Sequence, residues 1–269
     1  MEGNIARNRA ELAGKLTNVL DSRSLTYSHK RLASILKEGM KVLDLGCGTG
    51  AITRGIAESV GPKGWVVGID SNPNLIEKAR QNHGKTPGLT FETGDIFNLT
   101  YEGEFDIVTC ARVLIWLSEP LKALQMMKSA AKIGGRILVV DYNHEKISWE
   151  PAPPSSMTSF YSTYLKWRSD AGMNNAIADD LTNMFREIGI QDIIITPQHE
   201  VSNRTDSNFN TNIGIWADTA SSRGIQMERD GYITEIEYIT AEKEYREWMT
   251  KEAQSLTMYM LAVEGVRTL

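Results

Sequence analysis

Cysteine is scarce in this chain: Cys47 and Cys110 are the two among 269 residues. Two thiols make no disulfide framework, and no Cys/His spacing reads as a zinc site. A reducing, cytoplasmic setting is expected. Long apolar runs are lacking too. None approaches the roughly 20 residues of a membrane-crossing helix. The opening MEGNIARNRAELAGKL lacks the apolar stretch of a secretory signal, so no signal peptide and no membrane partner are expected. Positive charge is not in excess: 29 Lys and Arg stand against 34 Asp and Glu, a net −5. A general nucleic-acid binder needs the opposite balance. There is no block of like charge, no internal repeat and no low-complexity tract.

What remains is an ordinary globular composition, 41% hydrophobic and 23% charged. The length suits one enlarged domain carrying insertions and affords a sizeable core. From residue 41 short apolar runs alternate with amphipathic ones. KVLDLGC (41–47), WVVGID (65–70), LTFETGD (89–95), FDIVTCA (105–111) and RILVVDY (136–142) read as strands. Between them lie helical patterns: Ile52, Ile56, Ala57 and Val60, then a helix capped by Asn72 with Pro73 at its first turn, then one opened by Pro120 and closed by Gly134-Gly135. Helix–strand alternation predicts a parallel sheet covered on both faces. The rhythm breaks at 143–175, around EPAPPSS and an aromatic run of Phe160, Tyr161, Tyr164 and Trp167. It resumes with a helix over 176–189 and a strand over 192–202. It breaks again at 203–254, where Phe209, Ile213, Trp216, Ala217 and Ala220 trace one helix. Thr234 and Glu237 have capping-box spacing there, and Tyr245, Trp248, Met249 and Ala253 trace another helical face. A last strand spans 256–266. Long insertions of this kind usually serve as lids or binding walls.

The chemistry centres on VLDLGCGTG (42–50). Its glycines follow a strand and open a helix, as a ligand loop should. Gly46-x-Gly48-x-x-Ala51 satisfies the dinucleotide pattern, and Gly46-x-Gly48-x-Gly50 satisfies the shorter S-adenosylmethionine pattern. The acids discriminate. Asp70, ending the second strand, can accept both ribose hydroxyls of either cofactor. Asp44 is badly placed beside a pyrophosphate but suits an ammonium. Asp95 can accept from an adenine amino group. Three carboxylates fit a sulfonium that bears an ammonium.

VLDLGCGTG, VVGIDSNPNLIEKAR, FETGDIF, FDIVTCARVLIWL and GGRILVVD, in this order and spacing, resemble the class I S-adenosylmethionine-dependent methyltransferases, in the small-molecule branch similar to the ubiquinone and menaquinone biosynthesis enzymes. The resemblance is strong over 40–142 and names nothing in the two insertions. It implies a Rossmann-like α/β seven-stranded sheet, mostly parallel with an antiparallel last strand. Helical insertions at 143–175 and 203–254 and an N-terminal helical lid over 1–40 would complete a single methyltransferase domain. It implies that Gly46, Cys47 and Gly48 approach the methionine part of S-adenosyl-L-methionine and that Asp44 supports its ammonium. Asp70 takes the ribose, and Ser71, Asp95 and Ile96 lie at the adenine. Ala111 and Arg112 lie near the methyl. Trp116 stands where many relatives have histidine, so no histidine role transfers to it.

The methyl acceptor is expected to be a small molecule, with oxygen, nitrogen and carbon all open and no metal required. If it is a hydroxyl, a base helps. Of the four histidines, His144 follows the fifth strand on the active edge and is the candidate base; His29 could reach a lid. Tyr142, Tyr164, Trp116 and Arg168 are candidate substrate contacts, against the plainer reading of Tyr164 as core and Arg168 as a salt-bridged surface residue. Rival readings are a base-modifying methyltransferase, which lacks its Asn/Asp-Pro-Pro-aromatic motif here, a protein methyltransferase, a nicotinamide dehydrogenase, and a cofactor-binding protein of the same fold that does not methylate.

Overall fold

The computed structural model describes residues 2–10 and 20–269; residues 11–19 of the expected lid lie outside the described residues. Seven strands form the main sheet: β1 (Lys41–Leu45), β2 (Trp65–Asp70), β3 (Leu89–Thr93), β4 (Phe105–Ala111), β5 (Ala131–Tyr142), β7 (Ile190–Pro197) and β10 (Met260–Arg267). Their spatial order is β3-β2-β1-β4-β5-β10-β7. β1 to β5 pair in parallel, while β10 runs antiparallel to both β5 and β7. The antiparallel last strand is thus next to the edge, and β7 is the edge itself.

The inner strands are buried on both faces, as a parallel sheet under helices requires: Val42, Leu43, Leu45, Val66, Val67, Val108, Leu138 and Val139 all lie in the core. Helices α4 (Ala51–Val60), α5 (Pro73–His83), α6 (Pro120–Ala130) and α8 (Ile177–Glu187) supply the cover. Asn72 caps α5 by accepting from Asn74 N, and Pro73 sits in its first turn. Both follow from sequence because capping is local.

A second sheet of three strands, β6 (Ser148–Glu150), β9 (Ser255–Met258) and β8 (Glu200–Asn203), is built antiparallel with β9 in the middle. This corrects the reading of 192–202 and 256–266 as single strands. Each extended run changes sheets partway, at Gln198-His199 and at Tyr259. There Gln198 N donates to Met260 O at 3.0 Å, and Met260 N donates to His199 Nδ1 at 3.0 Å. His199 therefore lies between strands, not late in one. Two further boundaries move: β5 begins at Ala131 because α6 ends at Ala130, ahead of the Gly134-Gly135 pair, and the helix traced from Phe209 to Ala220 is two, α9 (Phe209–Ile213) and α10 (Ile215–Arg229), interrupted at Gly214.

The insertions fold together. α7 (Ser155–Ser169), α10 and α11 (Glu235–Lys251) pack through Phe160, Tyr164, Trp167, Trp216, Ala220, Tyr245 and Trp248, all buried. α11 starts with the expected capping box, Thr234 with Glu237. Among the described residues the N-terminal part holds the helices α1 (Glu2–Ala10), α2 (Leu25–Ser28) and α3 (Lys30–Ile35). The buried carboxylate of Glu264 in β10 clamps α3 to the sheet, pairing with Arg31 at 2.7 Å and Arg136 at 2.8 Å. α1 reaches the other side. Ala6 packs with Ala171, Met173 and Trp116, and Arg9 pairs with Asp230 at 3.1 Å while stacking 4.6 Å from the Trp167 ring.

Candidate functional site

The strand order reverses between β1 and β4, and a crevice opens there at the carboxyl ends of the strands. The glycine loop lies across it. Gly46, Gly48 and Gly50 all have positive φ, at 68°, 56° and 78°, which only glycine adopts without strain. Space is also short. A Cβ on Gly46 would lie 2.3 Å from Val113 Cγ2, just beyond β4. One on Gly48 would lie 3.2 Å from Leu20 Cδ1. The loop is therefore bare for two reasons, conformation and close approach.

The acids hold the loop's shape. Gly46 N and Cys47 N donate to Ile69 O at 2.7 and 3.0 Å, and Gly48 N donates to Asp70 Oδ2 at 2.9 Å. The other Asp70 oxygen accepts from Asn72 N at 2.9 Å. Burial raises the pKa of Asp70, against the pull of these two amides. Asp44 is buried and accepts from Thr53 Oγ1 of α4 at 2.7 Å. Burial pushes it up to about 7; Thr53 opposes the shift and the charge of Asp70 adds to it. A buried carboxyl next to another acid, with one neutral donor, is short of a cation. The ammonium of an amino-acid ligand would supply it. The Thr49 hydroxyl is buried too, facing Asp21 without a well-formed hydrogen bond. The loop thus fits an adenosyl amino acid.

Asp95 is not a strand end, as read from sequence. β3 stops at Thr93, and Asp95 caps a 3-10 turn over Ile96–Asn98, accepting from Phe97 N. Its other oxygen lies 3.6 Å from Arg7 Nη1 of α1. Ile96 is half-buried and Ser71 is exposed on the rim. Cys47 likewise lies past β1, in the loop, where burial raises its thiol pKa.

Beyond β4, Arg112 adopts φ 62°, rare for a side chain that large. Its Nε donates to Tyr142 OH at 2.8 Å, Nη1 to Ser28 O at 3.3 Å, and Nη2 to Glu200 of β8. Burial opposes its charge, but Tyr142 and Glu200 outweigh burial and raise its pKa. Sequence reasoning found Arg112 but not Glu200, because the chain returns 88 residues later through the second sheet.

His144 is buried in an aromatic wall. Its ring lies 5.4 Å from Tyr142, 5.8 Å from Trp216 and 6.2 Å from Tyr164, and Tyr161 OH donates to its carbonyl. Burial, with the charge of Arg168, holds its pKa well below the usual range. That makes it a weak proton acceptor and argues against the expected base role. Arg168 is fully buried, not a surface residue. It donates to Asn175 Oδ1 at 2.8 Å, Tyr164 OH at 3.3 Å and Ile115 O at 2.5 Å, and stacks 4.3 Å from Trp116. Its guanidinium is spent on the protein, which corrects its expected place as a substrate contact. Trp116 is held between Arg168 and Arg223, the latter at 5.1 Å. Tyr164 is buried core, as its plainer reading had it, while Tyr142 sits where β5 meets the site.

Arg23 escaped the sequence reading of this region, and His29 was read only as a residue that could reach a lid. Arg23 is half-buried close to Arg112, Tyr142 and Glu200. His29 is wholly buried, with Nε2 2.8 Å from Thr109 Oγ1. Thr109 gives its own proton to Leu138 O, so His29 Nε2 carries the hydrogen, and Nδ1 has no partner among the described residues. Burial, with the charge of Arg112, pushes His29 down to about 3. Nothing in SLTYSHKR signals this, because the contacts are tertiary. Among the described residues no cluster of His, Cys, Asp and Glu could hold a metal ion.

A doubly wound sheet with a bare glycine loop at its switch point, and buried carboxylates beside it, defines a nucleoside-cofactor-binding fold. Comparison with known proteins makes it specific. The family described as a methyltransferase domain matches residues 36–189, more than half the chain. The demethylmenaquinone methyltransferase of Staphylococcus epidermidis is 26% identical over 71% of this chain and 85% of its own. An uncharacterised protein in a transposon of Streptomyces fradiae is 31% identical over 50% of this chain, which spans 43% of that relative's length. The crystal structure of an S-adenosylmethionine-dependent methyltransferase from Aquifex aeolicus matches with a TM-score of 0.55 at 17% identity, over 96% of this chain and all of that one. The chain belongs to the methyltransferase-domain family. It is a class I methyltransferase with S-adenosylmethionine as its donor.

Proposed function

We propose that this enzyme methylates a small molecule held between the carboxyl ends of β4 and β5 and the helical insertions, under a lid formed by the N-terminal helices. Gly46, Cys47 and Gly48 would receive the methionine part of the donor and Asp44 its ammonium. Asp70 would exchange its Gly48 amide for ribose hydroxyls, and Asp95, Ile96 and Ser71 would border the adenine. Ala111 and Arg112 would face the methyl. The donor supplies an activated methyl on a sulfonium. The acceptor's lone pair forms the new bond to that carbon as the carbon–sulfur bond breaks, its electrons passing to sulfur. The chain's task is then alignment and exclusion of water, and orientation alone is worth roughly 7–11 kcal/mol in well-aligned cases.

The observation that carries this reading is the convergence of Arg112, Tyr142 and the aromatic wall around His144 beside the glycine loop, with α1 packed across Trp116. Rings and a guanidinium gathered at the carboxyl ends of β4 and β5, next to the methyl end of the donor loop, suit a small molecule and not a polymer. Similarity to a demethylmenaquinone methyltransferase supports the same class. The test is calorimetric titration with S-adenosylhomocysteine, with NAD in parallel, followed by a screen of small acceptors for S-adenosylhomocysteine production. Micromolar binding of the homocysteine compound alone, and turnover with a small acceptor, is expected. Turnover only with protein or nucleic acid would refute the reading.

A further inference from the structure

We propose that the methyl acceptor is an anion, a planar molecule whose carboxylate is received by Arg23 beside Arg112; this rests on the small-molecule reading above.

Arg23 stands between the two halves of the site. Three residues before it, Leu20 packs on Gly48; five after it, the Ser28 carbonyl accepts from Arg112. Its guanidinium makes no hydrogen bond or ion pair with any described residue, yet it is half-buried. The charged and phenolic groups it senses are Arg112, Tyr142, Glu200 and Asp141. Neither carboxylate pairs with it. Glu200 is bonded to Arg112. Asp141 accepts from Ile115 N and Tyr142 N, at 3.1 and 3.0 Å. Three guanidiniums, Arg23, Arg112 and Arg168, therefore face two carboxylates, inside a protein whose overall charge is −5. A guanidinium in this setting with no counter-ion among the described residues is costly, and one monoanion from outside restores the balance. Arg is the side chain whose planar fork matches a carboxylate.

The adjoining wall points the same way. Trp216 is buried, and its Nε1–H has no acceptor among the described residues. It is a second unsatisfied donor among the rings of His144, Tyr161 and Tyr164, which lie 5.8, 4.8 and 6.1 Å from it. Donors lacking an acceptor, beside flat apolar faces, describe a planar acid.

The probe is benzoate, with benzamide as its neutral isostere and inorganic phosphate as a non-planar anion, each titrated into the enzyme saturated with S-adenosylhomocysteine. Benzoate is expected to bind at least about tenfold tighter than benzamide, the worth of one charge-assisted hydrogen bond. Arg23→Gln should abolish that preference while leaving the affinity for S-adenosylhomocysteine within about twofold, and Arg23→Lys should restore part of it. Equal binding of benzoate and benzamide, binding of phosphate alone, no binding of any probe, or an unaltered preference in Arg23→Gln would each overturn the proposal. Failure of S-adenosylhomocysteine itself to bind the wild type would instead overturn the donor site on which it rests.

Discussion

Replacing Asp44 by asparagine should make the free protein respond differently to pH, because this carboxyl is buried with one neutral donor for company. Burial raises it from an ordinary 3.8 to about 7. The folded state then binds more protons than the unfolded state between these values. Stability is therefore lost as pH rises through that window and levels off above it. The penalty from this one group grows from about 1.5 kcal/mol at pH 5 to about 4 kcal/mol at pH 8. Asparagine carries no such charge and still accepts from Thr53. Its amide would lack an acceptor, at a cost of about 1–3 kcal/mol that does not vary with pH. The slope, not the level, is thus diagnostic. From pH 5 to pH 8 Asp44→Asn should gain about 2.5 kcal/mol on the wild type. Urea unfolding of the free proteins at four pH values measures this. An ammonium bound beside Asp44 would pull its proton off, so S-adenosylhomocysteine binding at pH 7 should release about half a proton from this group. Calorimetry in buffers of different ionisation enthalpy reads that proton, and the asparagine variant should bind more weakly and lack this release. Parallel stability curves for the two proteins would refute the burial argument. Undiminished binding by the variant would refute the ammonium role.

Other substitutions probe separate links. Asp70→Ala should weaken S-adenosylhomocysteine at least about tenfold, since it removes charge-assisted acceptors and frees the Gly48 amide; unchanged affinity in a folded variant would remove Asp70 from the donor site. Gly46→Ala places a methyl against Val113 at positive φ, so a loss of about 1–3 kcal/mol with weakened donor binding is expected. Adding Val113→Ala should recover part of both, and no recovery would mean that backbone conformation alone is responsible. Thr234→Ala breaks an exposed capping box far from the loop, so about 1 kcal/mol of stability should go with turnover unchanged. A changed turnover would show that α11 is coupled to the site.

The legible parts of this protein were those fixed by neighbours in the chain. The Asn72-Pro73 start of α5, the capping box of α11 and the glycine loop are written within a few residues each. The burial of the inner strands is too, since an uninterrupted apolar run has to be covered on both faces. Two extended runs were misread because alternation reports extension and not partner. β7 with β8, and β9 with β10, each continue through a change of sheet that hydrogen bonds across the chain impose at Gln198 and Met260. Arg168 was misplaced for a related reason. A charged residue in a helix reads as solvated until its pocket, here Asn175, Tyr164, Ile115 O and Trp116, is assembled from three segments.

By itself, then, the sequence determined the alternation of strands and helices over 41–142, the bare glycine loop after the first strand, and the acids set beside it. Those depend on backbone conformation and residue chemistry, which are local. The tertiary structure alone decided surroundings and partners: Asp44 buried with one neutral donor, His144 buried among rings, Arg112 bonded to Glu200, Arg23 without a counter-ion among the described residues. Desolvation and Coulomb energies depend on what surrounds a group in space, and residues far apart in the chain supply those surroundings.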